Sequence, residues 1–104
     1  MQFDESANGS DVEIRVGEEF GLSLPEARTA GYRWTLKSGV DPACALLSDS
    51  YQPASGKTGG NGTHSWRFRA TASGSCSLEL DNRRSWETRS EPAQTFSMKI
   101  RVRP

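Results

Sequence analysis

Side chains capable of acid–base or nucleophilic chemistry show no clustered His, Cys and carboxylate pattern in this chain of 104 residues. His64 is the single histidine, and because it begins a strand-like segment we expect it to face solvent or to cap that segment. Neither Cys44 nor Cys76 has metal-ligand spacing or a second histidine to activate it, and no serine stands in a nucleophile-elbow pattern. The sequence therefore predicts a protein that is not an enzyme, with no catalytic residue, no metal site and no cofactor.

The two cysteines allow one disulfide bond. A buried free thiol at both Cys44 and Cys76 is the simpler interpretation, and we expect it, with a single bridge as the alternative. The compartment in which the protein works stays open on this evidence.

Trp86 is the residue whose surroundings fit its type least well. Most other aromatic residues fall at alternating positions that should face inward, whereas Trp86 stands among charges in a predicted loop, loop 3 (83–93). Tryptophan is favoured at interface hot spots, and burying its face against a partner would contribute about 4 kcal/mol. The alternative is that Trp86 folds back over the edge of the domain, with Arg84 stacked on it.

Two other segments have the composition of presented loops. Loop 1 (25–31) offers the short hydroxyl of Thr29 and, at Gly31, a residue that tolerates positive φ and lets a partner's backbone approach. Loop 2 (54–63) is glycine-rich, so its bare main chain could hydrogen-bond a partner as a strand does. Taken singly, loop 1 is an ordinary turn and loop 2 a flexible connector. Loop 2 does not match a phosphate-binding loop.

Six stretches alternate apolar and polar residues with a period of two, as strands with one buried face do. They are residues 12–16, 20–24, 32–36, 66–70, 76–80 and 96–102. Turn residues separate them and no helical repeat is evident, so the pattern predicts an antiparallel all-β domain. At this length a two-sheet sandwich of six to eight strands is the natural closure.

The boundaries between these strands are less regular. We expect Pro25 to end the second strand, because proline cannot donate to a β-ladder. Residues 43–47 fit either a short strand or one helical turn, and 48–62 should be mostly loop. Residues 1–11 are expected to form a flexible lead-in to a single domain over 12–104. Because the intervening strands reverse the chain, loops 1, 2 and 3 should emerge at one end.

Bulk composition excludes some classes of partner. Thirteen Lys and Arg balance thirteen Asp and Glu, which argues against a generic polyanion binder. No apolar run approaches the roughly 18 residues that span a bilayer. Residues 1–11 hold no apolar signal-peptide centre, so we expect a cytoplasmic protein or an exported one whose signal was removed. We expect a monomer without nucleic-acid or membrane partners.

Read in order, the three loops resemble the chagasin family of cysteine peptidase inhibitors. That family carries a first loop of the form Asn-Pro-Thr-Thr-Gly-Tyr-x-Trp, then a glycine-rich loop, then a loop similar to Arg-Pro-Trp-x-Glu. The corresponding stretches are Thr29-Ala30-Gly31-Tyr32-Arg33-Trp34, Gly59-Gly60-Asn61-Gly62-Thr63-His64 and Arg84-Ser85-Trp86-Glu87. The match covers about residues 12 to 103.

The resemblance implies an immunoglobulin-like β-sandwich whose three loops form a wedge. In the family, the wedge enters the active-site cleft of papain-like cysteine peptidases and blocks it reversibly without being cleaved. Loop 1 would lie across the catalytic cysteine, the backbone of loop 2 would pair with one wall, and Trp86 would pack on the opposite wall with Arg84 beside it. The implied peptidase-binding residues are Thr29, Ala30, Gly31 and Tyr32, then Gly59, Gly60, Asn61 and Gly62, then Arg84, Ser85, Trp86 and Glu87.

The chain departs from the family pattern at four positions. Ala27-Arg28 replaces Asn-Pro, Ala30 replaces the second Thr, and Ser85 replaces the Pro before Trp86. Each lost proline removes about 0.4–1 kcal/mol of pre-organisation, and Arg28 should add bulk and charge near the tip of the wedge. We therefore expect weaker or narrower inhibition than a full-motif member gives, or a shifted target.

An alternative from another class is a non-inhibitory recognition module, such as a carbohydrate-binding or adhesion sandwich. Trp86 and the neighbouring arginines would serve equally well to stack on sugars. A nucleic-acid binder that uses Arg83, Arg84 and Arg89 is disfavoured by the balanced charge.

Overall fold

The computed structural model describes residues 1–38, 43–53, 62–84, 86 and 91–104, with the backbone alone at Thr29 and Ser38. In this part of the chain, eight strands form two four-stranded sheets. The strands are β1 Gln2–Phe3, β2 Asp11–Arg15, β3 Glu19–Glu26, β4 Tyr32–Ser38, β5 Cys44–Gln52, β6 Gly62–Ala70, β7 Gly74–Arg84 and β8 Gln94–Arg103. Short 3-10 helices lie at Glu5–Ala7 and Arg28–Ala30. The predicted all-β sandwich of six to eight strands is confirmed.

The sheets follow the orders β1-β3-β6-β5 and β2-β8-β7-β4. All pairs are antiparallel except the two at the sheet edges, where β1 runs parallel to β3 and β2 runs parallel to β8. Here the expectation of purely antiparallel sheets needs correction. Parallel neighbours cannot be joined by a tight hairpin, and in both of these pairs the two strands lie far apart along the chain. β2, for example, pairs with the last strand of the chain.

One hydrophobic core lies between the sheets and is built by the alternating residues of both. From the first sheet, the rings of Phe20 and Phe68 stack at a centroid distance of 5.1 Å. The buried apolar residues include Phe20, Leu22, Leu24, Trp66 and Phe68 of the first sheet and Leu78, Leu80, Phe96, Met98, Ile100 and Val102 of the second. Burying a large apolar side chain contributes about 1.5–3 kcal/mol, so these rows fix which face of each strand points inward.

A disulfide bond joins Cys44 of β5 to Cys76 of β7, with their Cα atoms 6.4 Å apart. The expectation of two free thiols was wrong. The two residues occupy inward positions on facing sheets, a relationship that spacing along the chain does not reveal. The bridge closes a long loop and ties the sheets together.

Three segments differ from their sequence-based expectations. Residues 44–52 form a nine-residue strand, β5, so the 48–52 part of the loop predicted over 48–62 is strand, and residues 54–61 of it lie outside the described residues. This edge strand is exposed over most of its length, and its polar composition hid its strand character. Residues 1–11, expected to be a flexible lead-in, contain β1 and a 3-10 helix capped by the side chain of Asp4.

Pro25 lies inside β3 and does not end it. β1 covers the outer side of β3 only at Gly21 and Leu22, so no strand of the described part of the chain pairs with β3 on that side at Pro25. The Pro25 carbonyl accepts a hydrogen bond from the Trp34 indole N–H at 2.9 Å, which shows that its polar groups point away from the β6 ladder. The missing N–H of proline therefore costs no ladder bond.

No helix among the described residues is long and apolar enough to cross a membrane.

The disulfide makes a testable contribution to stability. A bridge that closes a loop with a sequence separation of 32 should stabilise the fold; the expected contribution is about 3–4 kcal/mol, because it restricts the unfolded chain. Urea unfolding of the wild type with and without a reducing agent measures this difference while both sulfur atoms stay in the core. A Cys44→Ala/Cys76→Ala variant is the control and should not respond to the reducing agent. A loss below about 1 kcal/mol on reduction would contradict the prediction.

Candidate functional site

The roots of all three loops lie at one end of the sandwich. Strand pairing places Glu26, where β3 leads into loop 1, opposite Gly62, where loop 2 returns into β6. In the other sheet, Tyr32 after loop 1 lies opposite Arg84 before loop 3. The loops therefore begin and end side by side, as the chain reversals predicted.

Part of the predicted site lies outside the described residues. These positions are Gly59, Gly60, Asn61, Ser85 and Glu87. The structure describes Ala30, Gly31, Tyr32, Gly62, Arg84 and Trp86, together with the backbone of Thr29.

Loop 1 folds into a compact turn. The carbonyl of Ala27 accepts hydrogen bonds from the N–H groups of Ala30 at 3.1 Å and Tyr32 at 3.2 Å. Gly31 ends the 3-10 helix in the left-handed region with φ +92, a conformation that glycine adopts without steric cost. The turn holds its own backbone bonds and leaves Ala30 exposed at the surface.

Trp86 lies directly on loop 1. A Cβ atom at Gly31 would stand 2.5 Å from Trp86 Cη2, so the indole ring rests where a side chain would otherwise be. The ring is nevertheless 65% exposed and lies outside the hydrophobic core. Loops 1 and 3 thus form one surface with an apolar ring on it.

Arg84 lies close to both aromatic rings of this surface. Its guanidinium carbon is 5.0 Å from the centre of the Tyr32 ring and 5.7 Å from that of Trp86. Cation–π attraction at these distances favours the arrangement. The alternative in which Trp86 folds back with Arg84 beside it is correct about the position of Arg84, but Trp86 does not cover the core.

Beneath loop 1, the Glu26 carboxylate is completely buried at the end of the inward row of β3. Its Oε1 accepts hydrogen bonds from the backbone N–H of Trp34 at 2.6 Å and from His64 Nδ1 at 3.0 Å. Its Oε2 accepts from Arg28 Nε at 2.9 Å and contacts Arg28 Nη2 at 2.8 Å. Burying a carboxylate is costly unless it is paired, and here both oxygens are satisfied.

The sequence interpretation missed this group. The signal for it is the period of β3, because the inward row of Phe20, Leu22 and Leu24 places the next even position, Glu26, on the inner face. A carboxylate predicted to face a core requires partners, and the nearest cation in the sequence is Arg28.

His64 is buried, so the expectation that it faces solvent was wrong. It occupies an inward position on β6, where its ring stacks on Trp66 with 4.1 Å between centroids. Its Nδ1 faces Glu26, and its Nε2 lies within hydrogen-bond distance of Asp49 Oδ1 on β5. The histidine therefore links the buried carboxylate to the edge strand.

These partners set the pKa of Glu26. Burial alone raises the pKa of the carboxyl group, but hydrogen bonds from His64, the Trp34 N–H and Arg28 stabilise the charged form and lower the pKa below its ordinary value of 4.5. Glu26 is thus held as a carboxylate. No cluster of three or more His, Cys, Asp or Glu side chains within the described ranges could hold a metal ion.

The position of Arg28 in the sequence suggested that its charge lies at the tip of loop 1, and this expectation was wrong. Its guanidinium is paired with Glu26 and lies over the Tyr51 ring, 3.7 Å from the ring centre. On the other flank of loop 1 is a cavity of about 260 Å³. Its lining residues are Pro25, Ala27, Tyr32, Asn82, Ala93 and Gln94.

Comparison with known proteins agrees with the fold and with the family resemblance of the sequence. Residues 13–100 match the family described as Chagasin family peptidase inhibitor I42. Chagasin from Trypanosoma cruzi is 24% identical over 100 residues, covering 91% of each chain.

Solved structures share the fold at low sequence identity. The cysteine protease inhibitor EhICP2 from Entamoeba histolytica superposes with a TM-score of 0.84 at 16% identity, over 98% of this chain and 93% of that one. PbICP-C, solved in complex with falcipain-2, gives a TM-score of 0.61 at 14% identity, over 91% of this chain and 88% of that one.

The lowered pKa of Glu26 predicts how stability depends on pH. The folded-state pKa of Glu26 lies below the ordinary value of 4.5. The stabilisation that the Glu26 carboxylate gives the fold is therefore complete above the ordinary pKa and is lost as the pH falls through the folded-state pKa. Glu26→Gln should cost about 3 kcal/mol at neutral pH, because it breaks a buried ion pair. The difference in unfolding free energy between wild type and variant should then shrink on acidification, as measured by urea unfolding across this range.

Glu19→Gln is the matched control. The pKa of Glu19 is also lowered, chiefly by a hydrogen bond from Arg69, but this carboxylate lies at the surface. Its replacement should change stability little, because surface ion pairs are weak. A Glu26→Gln deficit that is the same at neutral and acidic pH would show that the charge of Glu26 is not the source of its effect.

Proposed function

Because this chain belongs to the chagasin family of peptidase inhibitors, we propose that it inhibits papain-family cysteine peptidases reversibly, by inserting loops 1, 2 and 3 into the active-site cleft. The observation that carries the proposal is the contact of the exposed Trp86 ring with Gly31, which joins loops 1 and 3 in one surface beside the root of loop 2. A surface of this kind suits a cleft with two walls.

Each loop has its own role in the proposal. Loop 1, with Thr29, Ala30 and Gly31 at its tip, lies across the catalytic cysteine of the peptidase. The backbone of residues 59–62 pairs with one wall of the cleft, and Trp86 packs on the apolar opposite wall with Arg84 beside it.

The shape of loop 1 accounts for inhibition without cleavage. A peptide that pairs with an enzyme groove in strand-like fashion must be extended. Loop 1 is instead a 3-10 turn closed by backbone hydrogen bonds at Ala27 and Arg28, with Gly31 in the left-handed region. To become extended it must break those bonds, so the turn occupies the cleft without adopting the geometry of a substrate.

The energetics favour Trp86 as the principal anchor. Its ring is large and mostly exposed, yet its position is already set by contact with Gly31. Little side-chain freedom remains to be lost when a partner covers it, so most of the gain from burying the ring appears as affinity. Interface energy commonly concentrates in such aromatic anchors.

Relatives support the class of target. EhICP2 is described as a cysteine protease inhibitor, and PbICP-C was solved in complex with falcipain-2. Both share this fold.

Titration of papain and cathepsin L with the protein tests the proposal. We expect wild type to inhibit substrate turnover and dilution to restore it. Trp86→Ala should weaken inhibition by about 2 kcal/mol, or roughly 30-fold, through loss of the anchor. Its unfolding free energy should stay within about 0.5 kcal/mol of wild type, because the ring lies outside the core. If micromolar protein leaves both enzymes uninhibited, the proposed function is wrong. If Trp86→Ala unfolds the domain, Trp86 belongs to the core and is not the anchor of the inhibitory surface.

A pair of glycine variants tests the contact between loops 1 and 3. Gly31→Ala should raise the inhibition constant by about tenfold, because the added methyl group displaces the Trp86 ring and strains the left-handed turn. Gly17 has nearly the same φ, +94 against +92, but apart from its chain neighbours no atom of the described residues lies within 4 Å of the position a Cβ would take.

Gly17 lies in the β2–β3 turn at the opposite end of the sandwich. The Gly17→Ala variant should therefore lose a similar amount of stability through backbone strain but inhibit the peptidase as wild type does. Enzyme assays and urea unfolding of both variants provide the comparison. Equal inhibition by the two variants would show that the Trp86 contact is unimportant.

A further inference from the structure

The Arg28 side chain lies between loop 1 and the root of loop 2. Its Nε and Nη2 atoms contact Glu26 Oε2 at 2.9 and 2.8 Å, and its guanidinium carbon is 3.7 Å from the centre of the Tyr51 ring. The cation is therefore paired on one side and stacked on the other. About 30% of the side chain remains exposed.

Through Glu26, this contact reaches both ends of loop 1. Glu26 is the last residue of β3, and its other oxygen accepts the backbone N–H of Trp34 in β4 at 2.6 Å. A single buried carboxylate thus binds the strand before the loop, the strand after it and Arg28 within it. Without Arg28, Oε2 would lose its contacts with Nε and Nη2 at a position that is closed to solvent.

Through Tyr51, the same contact reaches both ends of loop 2. Tyr51 is the next-to-last residue of β5, after which the chain enters loop 2. Gly62 begins β6 on the return, and a Cβ at Gly62 would overlap the Tyr51 ring. The absence of a side chain at Gly62 lets the ring lie across the root of loop 2 and under Arg28.

Support for loop 1 comes from this flank. On the opposite flank, the cavity of about 260 Å³ separates Ala27 and Tyr32 from the start of β8. We name the group of Glu26, Arg28, Tyr51 and Gly62 the Arg28 latch. It joins loop 1 to the sheet that carries loop 2.

We propose that Arg28 is a positioning residue of the inhibitory site, which fixes loop 1 against the root of loop 2 before a peptidase binds. The inference rests on the proposed function and adds to it. A loop held in its bound geometry has less freedom to lose on association, so the latch contributes affinity without touching the target. Only a planar guanidinium can pair side-on with a carboxylate and lie flat on a ring, and lysine cannot replace it.

Substitutions on each side of the latch test the proposal through papain inhibition. Arg28→Lys and Tyr51→Leu should each raise the inhibition constant about tenfold, whereas Tyr51→Phe keeps the ring and should inhibit as wild type does. The double variant Arg28→Lys/Tyr51→Leu should be no weaker than either single variant, because both break the same contact. Arg69→Lys is the matched control, since Arg69 pairs with partly exposed Glu19 on the outer face, and it should have no effect.

The opposite pattern would overturn the inference. If Arg28 acted on the peptidase through its charge, Arg28→Lys would retain inhibition and the effect of Tyr51→Leu would add to that of Arg28→Ala. Either result refutes a positioning role. Urea unfolding of each variant shows whether a loss of inhibition reflects loss of the fold, and Tyr51→Phe remains informative in either case.

A measurement on the free protein separates this inference from the proposed function. Arg28→Lys should increase the backbone mobility of Ala30 and Gly31 in NMR relaxation and leave the Gly17 turn unchanged. If wild type fails to inhibit any peptidase but this change is seen, the proposed function is wrong and the latch stands as a property of loop 1. If mobility is unchanged, the latch is refuted whether or not the protein inhibits.

Discussion

The buried carboxylate of Glu26 is the constraint on which the functional end of the molecule depends. A charge placed at the end of a hydrophobic row is tolerated only with donors on both oxygens, so Trp34, His64 and Arg28 must all lie where the structure has them. Meeting that requirement sets the separation of β3 and β4 and the path of loop 1 between them. The apolar core determines how the two sheets pack together, and the Glu26 carboxylate determines how the strands and loop 1 are arranged at one end of them.

The two packed sheets stabilise the fold, and one end of the sandwich carries the three loops. Alternating apolar rows and the Cys44–Cys76 bridge hold the sheets face to face. Antiparallel pairing then brings the roots of the three loops to the same end of the sandwich. Strand pairing decides where each loop begins and ends, whereas the path of loop 1 between its roots depends on the contact of Arg28 with Glu26. This separation explains how an unusual residue such as Arg28 can occupy loop 1 without disturbing the fold.

Period-two alternation was sufficient to predict the strands with a buried face, and three ordered motifs were sufficient to predict the family. The failures have a common physical origin in groups whose state depends on a partner distant in sequence. Pro25 was expected to end β3 because its pairing side could not be known, and the thiols were expected to be free because the sheet assignment of Cys44 was uncertain. His64 was assigned to solvent because its carboxylate partners lie 38 and 15 residues away. Edge strand β5 was partly missed because exposed strands carry little hydrophobic pattern.

The exposure of Trp86 gives the protein an optical property that follows from its architecture. Of its three tryptophans, Trp34 and Trp66 are buried in the core, at 8% and 1% exposure, and only Trp86 meets water. The buried pair supplies a constant, blue-shifted emission, whereas the emission maximum and iodide quenching of Trp86 report on its surroundings. Intrinsic fluorescence therefore reads the state of the loop surface against an internal reference, without any added label.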